Sequence, residues 1–189
     1  MKIILSILSI TLISVNFAQS TLDSLIFHSV NGYRIENDLE PFIWSQPIVD
    51  VALNQVEYCS RVKYPFHDQI ITDANDSTFQ IEPSFVKRFI NQGAMSNKRD
   101  GVYGENLMVV VDTAYTLSIE EIVDEVITGW INSPEHHELL LDTVVRYGAI
   151  AHKIDNEGYT VKKLDTSTFI MYESSVIGKT YWVALDLHN

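Results

Sequence analysis

The chain has 189 residues, with 13 basic side chains against 25 acidic ones for a formal net charge of −12, and a single cysteine. That balance offers a polyphosphate backbone or an anionic membrane surface no electrostatic gain, so nucleic acid is not an expected partner. One cysteine excludes an intramolecular disulfide, and a fold of this size must therefore rest on its apolar core.

The opening stretch, MKIILSILSITLISVNFAQS, sets a lone Lys2 before an apolar run that ends in small residues near Ala18. The run falls short of the roughly 20 apolar residues that a spanning helix needs, and no second run of that kind follows. It reads as an export leader over residues 1–18, and predicts a secreted or periplasmic protein without a membrane span. One domain over residues 22–188 accounts for the rest, with no repeat, low-complexity tract or linker.

Leu22, Leu25, Ile26, Val30 and Tyr33 recur at helical spacing and predict a first helix that ends near Asn37, before Pro41. Ser45 is the expected cap of a second helix, running from Gln46 to about Val62 with Pro47 in its first turn. Val49, Ala52, Leu53, Val56 and Cys59 mark its apolar face, so Cys59 reads as a buried small hydrophobe; no cation or helix start adjoins it to lower its pKa. Between Lys63 and Gly104 the polar "HDQIITDANDST" predicts loop, and "EPSFVKRFINQG" a short helix with Phe85, Phe89 and Ile90 on one side.

"ENLMVVV" predicts a strand. Ser118 with Glu121 forms a capping-box pattern for a third long helix whose Ile119, Ile122, Val123, Val126 and Trp130 share a side, while Glu120, Glu121, Asp124 and Glu125 form a solvated face. Ser133-Pro134 starts another helix, which carries the adjacent His136 and His137. Then come short β-rich runs, "RYGAIAHKID", "YTVKKL", "TFIMYESS" and "TYWVALDLH", with Asn156-Glu157-Gly158 marking a hairpin between the first two. Helices first and strands last predict an α+β fold with an antiparallel sheet. Trp44, Trp130 and Trp182 are expected in the core. His28, His152 and His188 match no motif.

Three segments taken in order, "VNGYRIENDLEPFIWSQPIVDVALNQVEYCSR", "GENL" and "WINSPEHHELLLD" followed by "YGAIA", resemble the CAP superfamily of cysteine-rich secretory, antigen-five and pathogenesis-related proteins, whose bacterial members lack disulfides. Val30, Asn31, Arg34, Leu39, Pro41 and Trp44 occupy the family's first pattern. The resemblance implies a three-layer α-β-α sandwich of CAP type with a central antiparallel sheet. It also implies a cleft built from His67, Glu105 and His136, and a divalent metal there in some members. Glu135 stands where the family usually has glycine and His137 where it has arginine. Eukaryotic members carry a second cleft glutamate three residues after the tryptophan. That position is Ser133 here, with Glu135 and Glu138 as the candidate replacements.

Two neutral imidazoles, His67 and His136, suit a borderline cation such as zinc; Glu105 is either a third ligand or an outer-shell acceptor that fixes an imidazole tautomer. His137 projects roughly 100° away from His136 on a helix and is expected at the surface. No GxSxG, HExxH or phosphate loop is present. The expected function is an extracellular binding or interaction module, for which the family suggests a sterol, fatty-acid or peptide ligand. A metal-dependent hydrolase, in particular a peptidase, using the same cleft is the alternative, and a purely structural domain the third. Two features carry no assignment: the role of the segment Thr168–Lys179, and the oligomeric state.

Overall fold

The computed structural model describes residues 20–67, 69–72, 79–82, 84–91, 93–94, 101–156, 158–165 and 170–189; the expected leader lies outside them. A ten-residue strand, β8 (Lys179–His188), organises the fold, because it is buried along nearly its whole length between two partners. It pairs antiparallel with β4 (Tyr103–Asp112) on one side and β5 (Tyr147–Asp155) on the other. A two-residue strand, β1 (Ile43–Trp44), adds in parallel to the outer side of β5, giving the order β1-β5-β8-β4.

Alternation along β8 divides the core in two. Tyr181, Val183, Leu185 and Leu187 join the cluster formed with α1 (Thr21–Glu36) and α4 (Ile119–Asn132). Trp182 and Ala184 face α2 (Gln46–Val62), where Ala52, Val56, Tyr58 and Cys59 meet them. The sheet is thus covered on both faces, which makes the expected three-layer sandwich. Burying each Leu, Ile or Val side chain contributes about 1.5–3 kcal/mol, so these two clusters carry the stability that a disulfide-free chain needs.

Local signals explain the helices. Ser20 caps α1 by accepting from the Asp23 amide, and Ser118 with Glu121 closes a full capping box on α4. Ser45 stands at the N-cap of α2 but makes no side-chain cap, so Pro47 and packing fix that end. Ile122, Val123, Val126 and Trp130 are buried as expected, whereas Ile119 is 43% exposed, because it sits in the first turn beyond the reach of the sheet. Glu120, Glu121, Asp124 and Glu125 are all exposed. Trp130 and Trp182 are core residues; Trp44 is half-buried, meeting Phe27 edge-on at 5.0 Å.

The pattern around Asn31 and Arg34 is structural. Asn31 exchanges two hydrogen bonds with the backbone of Phe42. The buried Arg34 lies over the Phe42 ring and donates to the carbonyls of Glu40, Leu140 and Asp142. It therefore ties α1 to the end of a short helix, α5 (Pro134–Leu140), which carries His136 and His137.

Two sequence expectations are corrected. The expected loop "HDQIITDANDST" contains a strand, β2 (Gln69–Thr72), paired antiparallel with β3 (Phe79–Glu82); the branched Ile70-Ile71-Thr72 run outweighs the polar turn residues around it. Among the described residues, the strands that flank Asn156 and Gly158 are not paired with each other. Gly158, at φ +82°, turns the chain out of the sheet, and β6 (Tyr159–Asp165) pairs instead with β7 (Ile170–Val176) as a separate two-stranded ribbon. Most of the segment left without an assignment, Thr168–Lys179, is accounted for by β7. The short helix expected near Phe85 is α3 (Ser84–Asn91), with Phe89 fully buried.

Candidate functional site

Glu105 and Asn106 are neighbours on β4, an outer strand of the sheet, so their side chains leave on opposite faces. Asn106 donates to the backbone carbonyl of His136 at 3.0 Å, which fastens α5 to the strand. Gly104 makes this approach possible: a Cβ there would collide with the Leu139 side chain of α5. Glu105, on the face that α2 covers, accepts from His67 Nδ1 at 2.9 Å. A carboxylate only accepts, so Nδ1 carries the hydrogen, and in the neutral ring Nε2 is the free acceptor.

Arg88 of α3 completes this arrangement. Its Nη2 pairs with Glu105 Oε2, and its Nη1 donates to the His67 carbonyl at 2.7 Å. Gln55 of α2, fully buried, donates to the carbonyl of Phe66 just before. His67 is thus fixed through its backbone by two elements and through its ring by a third. Its side chain is 50% exposed, while that of Glu105 has no exposure. The ring is the part that solvent or a ligand reaches.

Asp186 of β8 lies directly opposite Glu105 in the strand register. It is wholly buried, and neither carboxyl oxygen has a hydrogen-bond donor. Burial first, and then the negative charge of Glu105, hold its pKa well above the usual carboxylate range, with Arg88 opposing. A protonated Asp186 is itself a donor, and Glu105 is the acceptor beside it. The buried charges then balance as one carboxylate and one guanidinium, so the surroundings beneath the His67 ring are close to neutral.

His136 approaches from α5. Burial, followed by the neighbouring charge of His67, lowers its pKa, and Glu135 opposes this. His67 and Glu105 are thus paired at one edge of the sheet, and α5 brings His136 toward the same edge. The sign of the His136 shift gives a test. The unfolded chain takes up a proton first as pH falls through the ordinary value of 6.5, so stability should decline from there downward. Urea midpoints measured from about pH 7.5 to 5 should fall more steeply in the wild type than in His136→Gln; parallel curves would refute the assignment.

His137, expected at the surface, is half-buried and hydrogen-bonded through Nε2 to the Tyr33 hydroxyl at 2.7 Å. It is a brace between α5 and α1. Glu135 and Glu138, the candidate replacements for the second family glutamate, are exposed, and the acid that lies opposite Glu105 is Asp186.

As to a metal, Glu105 fits poorly as a ligand, because His67 and Arg88 occupy both of its oxygens. Among the described residues no three His, Cys, Asp or Glu side chains gather as an ion would require. That leaves the two imidazoles as the candidate donors, with Glu105 orienting the ring of His67. Sequence reading missed Arg88 and Asp186. An aspartate between Leu185 and Leu187 in an otherwise apolar strand was the available signal; Arg88, beside Lys87 on a short helix, gave none.

The fold is an α-β-α sandwich that carries a half-exposed histidine on a buried carboxylate at one edge of its sheet. The sequence model described as "CAP: Cysteine-rich secretory protein family" matches residues 27–172, and the chain belongs to that family. No curated protein matches it. Among solved structures, an extracellular protein containing a SCP domain from Bacillus anthracis is similar over 88% of this chain, at 16% identity and a TM-score of 0.52. This chain covers 39% of that protein's length. An outer surface protein of Borrelia burgdorferi is 12% identical over 88% of this chain and 92% of its own, with a TM-score of 0.48. A cysteine-rich secretory protein from Staphylococcus aureus is 12% identical over 89% of this chain and 38% of its own, again with a TM-score of 0.48. No helix among the described residues is long and apolar enough to cross a membrane.

Proposed function

We propose that this protein is exported and acts outside the cell as a binding or interaction module, whose ligand meets the cleft between His67 and His136. The observation that carries this reading is the ring of His67, half-exposed yet held by a buried carboxylate that a guanidinium neutralises. The arrangement presents a fixed hydrogen-bond acceptor over a nearly neutral floor, which suits a polar group on an uncharged or weakly charged ligand, such as a sterol hydroxyl or a peptide amide. The extracellular description of the Bacillus relative and the leader pattern support export.

A divalent metal such as zinc is part of this proposal, held by His67 Nε2 and His136, with Glu105 fixing the His67 tautomer. Bound there, such an ion would supply a Lewis acid with open positions for a ligand. Zinc titration by calorimetry tests it. Binding near one equivalent is expected, lost in His136→Ala and weakened about 10- to 100-fold in Glu105→Gln. Absence of binding would remove the metal and leave the organic ligand.

Hydrolysis is the second reading. The feature favouring it is the same His67–Glu105 pair, in which a carboxylate orients an imidazole as a general base needs. Turnover of a peptide or ester panel that His67→Ala abolishes would establish it.

A further inference from the structure

Among the described residues, no strand covers the edge of β5 beyond β1. Ile43 N–H donates to the Arg146 carbonyl and Ser45 N–H to that of Gly148, so the even-numbered residues of β5 turn their backbone groups toward β1. β1 ends at Trp44, and the backbone groups of His152 and Ile154 on that side meet no strand among the described residues. An unpaired strand edge is a template for another chain.

At this edge lies a cavity of about 410 Å³ between α1, α2 and β5. Its wall is mainly apolar: Trp44, Val49, Leu53 and Ile150. Val49 and Leu53 belong to the apolar face expected of α2, yet Leu53 is 38% exposed and Val49 half-buried, because they stand toward the open edge of the sheet. The charged groups at the rim are mostly acidic. Asp50 is exposed and makes no ion pair among the described residues, whereas Asp23 accepts from His152 Nδ1 at 2.7 Å and pins the start of α1 to the strand. This groove lies at the opposite edge of the sheet from Glu105.

We propose that this groove docks an extended segment of a partner protein, which pairs with β5 at His152 and Ile154, lowers one large apolar side chain into the cavity, and sets a lysine or arginine against Asp50. The hydrogen bonds give affinity in strand addition, and pockets for alternate side chains give selectivity. Charge decides the occupant: the carboxylate rim attracts a basic segment, and a net charge of −12 opposes a second copy of this chain.

The test uses a fluorescein-labelled heptapeptide that alternates lysine with valine and phenylalanine, beside a counterpart with glutamate for lysine. The lysine peptide should bind by anisotropy and slow amide hydrogen exchange at His152 and Ile154. Leu53→Lys, at a partly exposed position that the fold tolerates, should weaken it at least about tenfold, and Asp50→Asn should weaken it and reduce its salt dependence. Equal binding of the glutamate peptide would overturn the proposal, as would unchanged exchange at the edge, indifference to Leu53→Lys, or no binding at millimolar peptide. If sedimentation shows a dimer that Leu53→Lys dissociates, the occupant is a second copy and the proposal fails.

Discussion

Arg88→Met is expected to lower the unfolding free energy by about 3–5 kcal/mol, the cost of stranding a buried charge when its partner is removed. The Glu105 side chain has no exposure, and Arg88 is its cationic partner. Without Arg88, the carboxylate keeps only the neutral support of Asp186 and the His67 ring, and the His67 carbonyl loses its closer donor, leaving Gln55 Nε2 at 3.5 Å. Urea unfolding at pH 7 measures the loss. Arg88→Lys should recover part of it, since a lysine restores charge but cannot fork between a side chain and a backbone carbonyl. Adding Glu105→Gln to Arg88→Met should return much of the stability, because no charge is then left buried. A single-variant cost below about 1 kcal/mol would mean that water reaches the pair and that it is not as closed off as its burial indicates.

Asp186→Asn is expected to act in the opposite direction, raising stability at pH 8 by about 1–3 kcal/mol, the scale of an unsatisfied buried polar group. The sign follows from the direction of the shift. Folding holds a proton on Asp186 that the unfolded chain has released above about pH 4, so the native state loses ground as pH rises from there through the folded value. Asparagine keeps the shape, has an N–H for Glu105, and takes no part in that titration. The wild-type and variant stability curves should therefore converge toward pH 4 and separate as pH rises. A constant offset between them would show that Asp186 is ionised in the fold.

These two residues also mark where the sequence stopped being informative. The helices declare themselves through 3.6-residue spacing and caps, as Ser118 and Glu121 do, and the central strands through branched runs such as Val109-Val110-Val111. His67, Glu105 and His136 are legible only through the resemblance, since 30 or more residues lie between each and the next in the chain. Asp186 and Arg88 are not legible even so. Their roles depend on which residue of β8 faces Glu105 and on where α3 sits, and both are set by register and packing, not by local pattern. The same limit explains the missed strand at Gln69–Thr72: pairing with Phe79–Glu82 stabilises it, and a window of neighbouring residues does not contain that partner. His137 was misread for a similar reason, because its half-burial comes from Tyr33 on a distant helix.

Cys59 has a practical consequence. The thiol is buried against Trp182 and Ala184, and burial first, with Glu105 adding to it, pushes its pKa up to about 12. A thiolate is the species that maleimides, spin labels and cross-linkers attack, so in the folded protein this position is silent to them. Any cysteine introduced on the surface becomes a unique attachment point without first engineering the native one away. Dye pairs or fluorophores placed beside either edge of the sheet can then follow ligand docking in a background free of competing reaction.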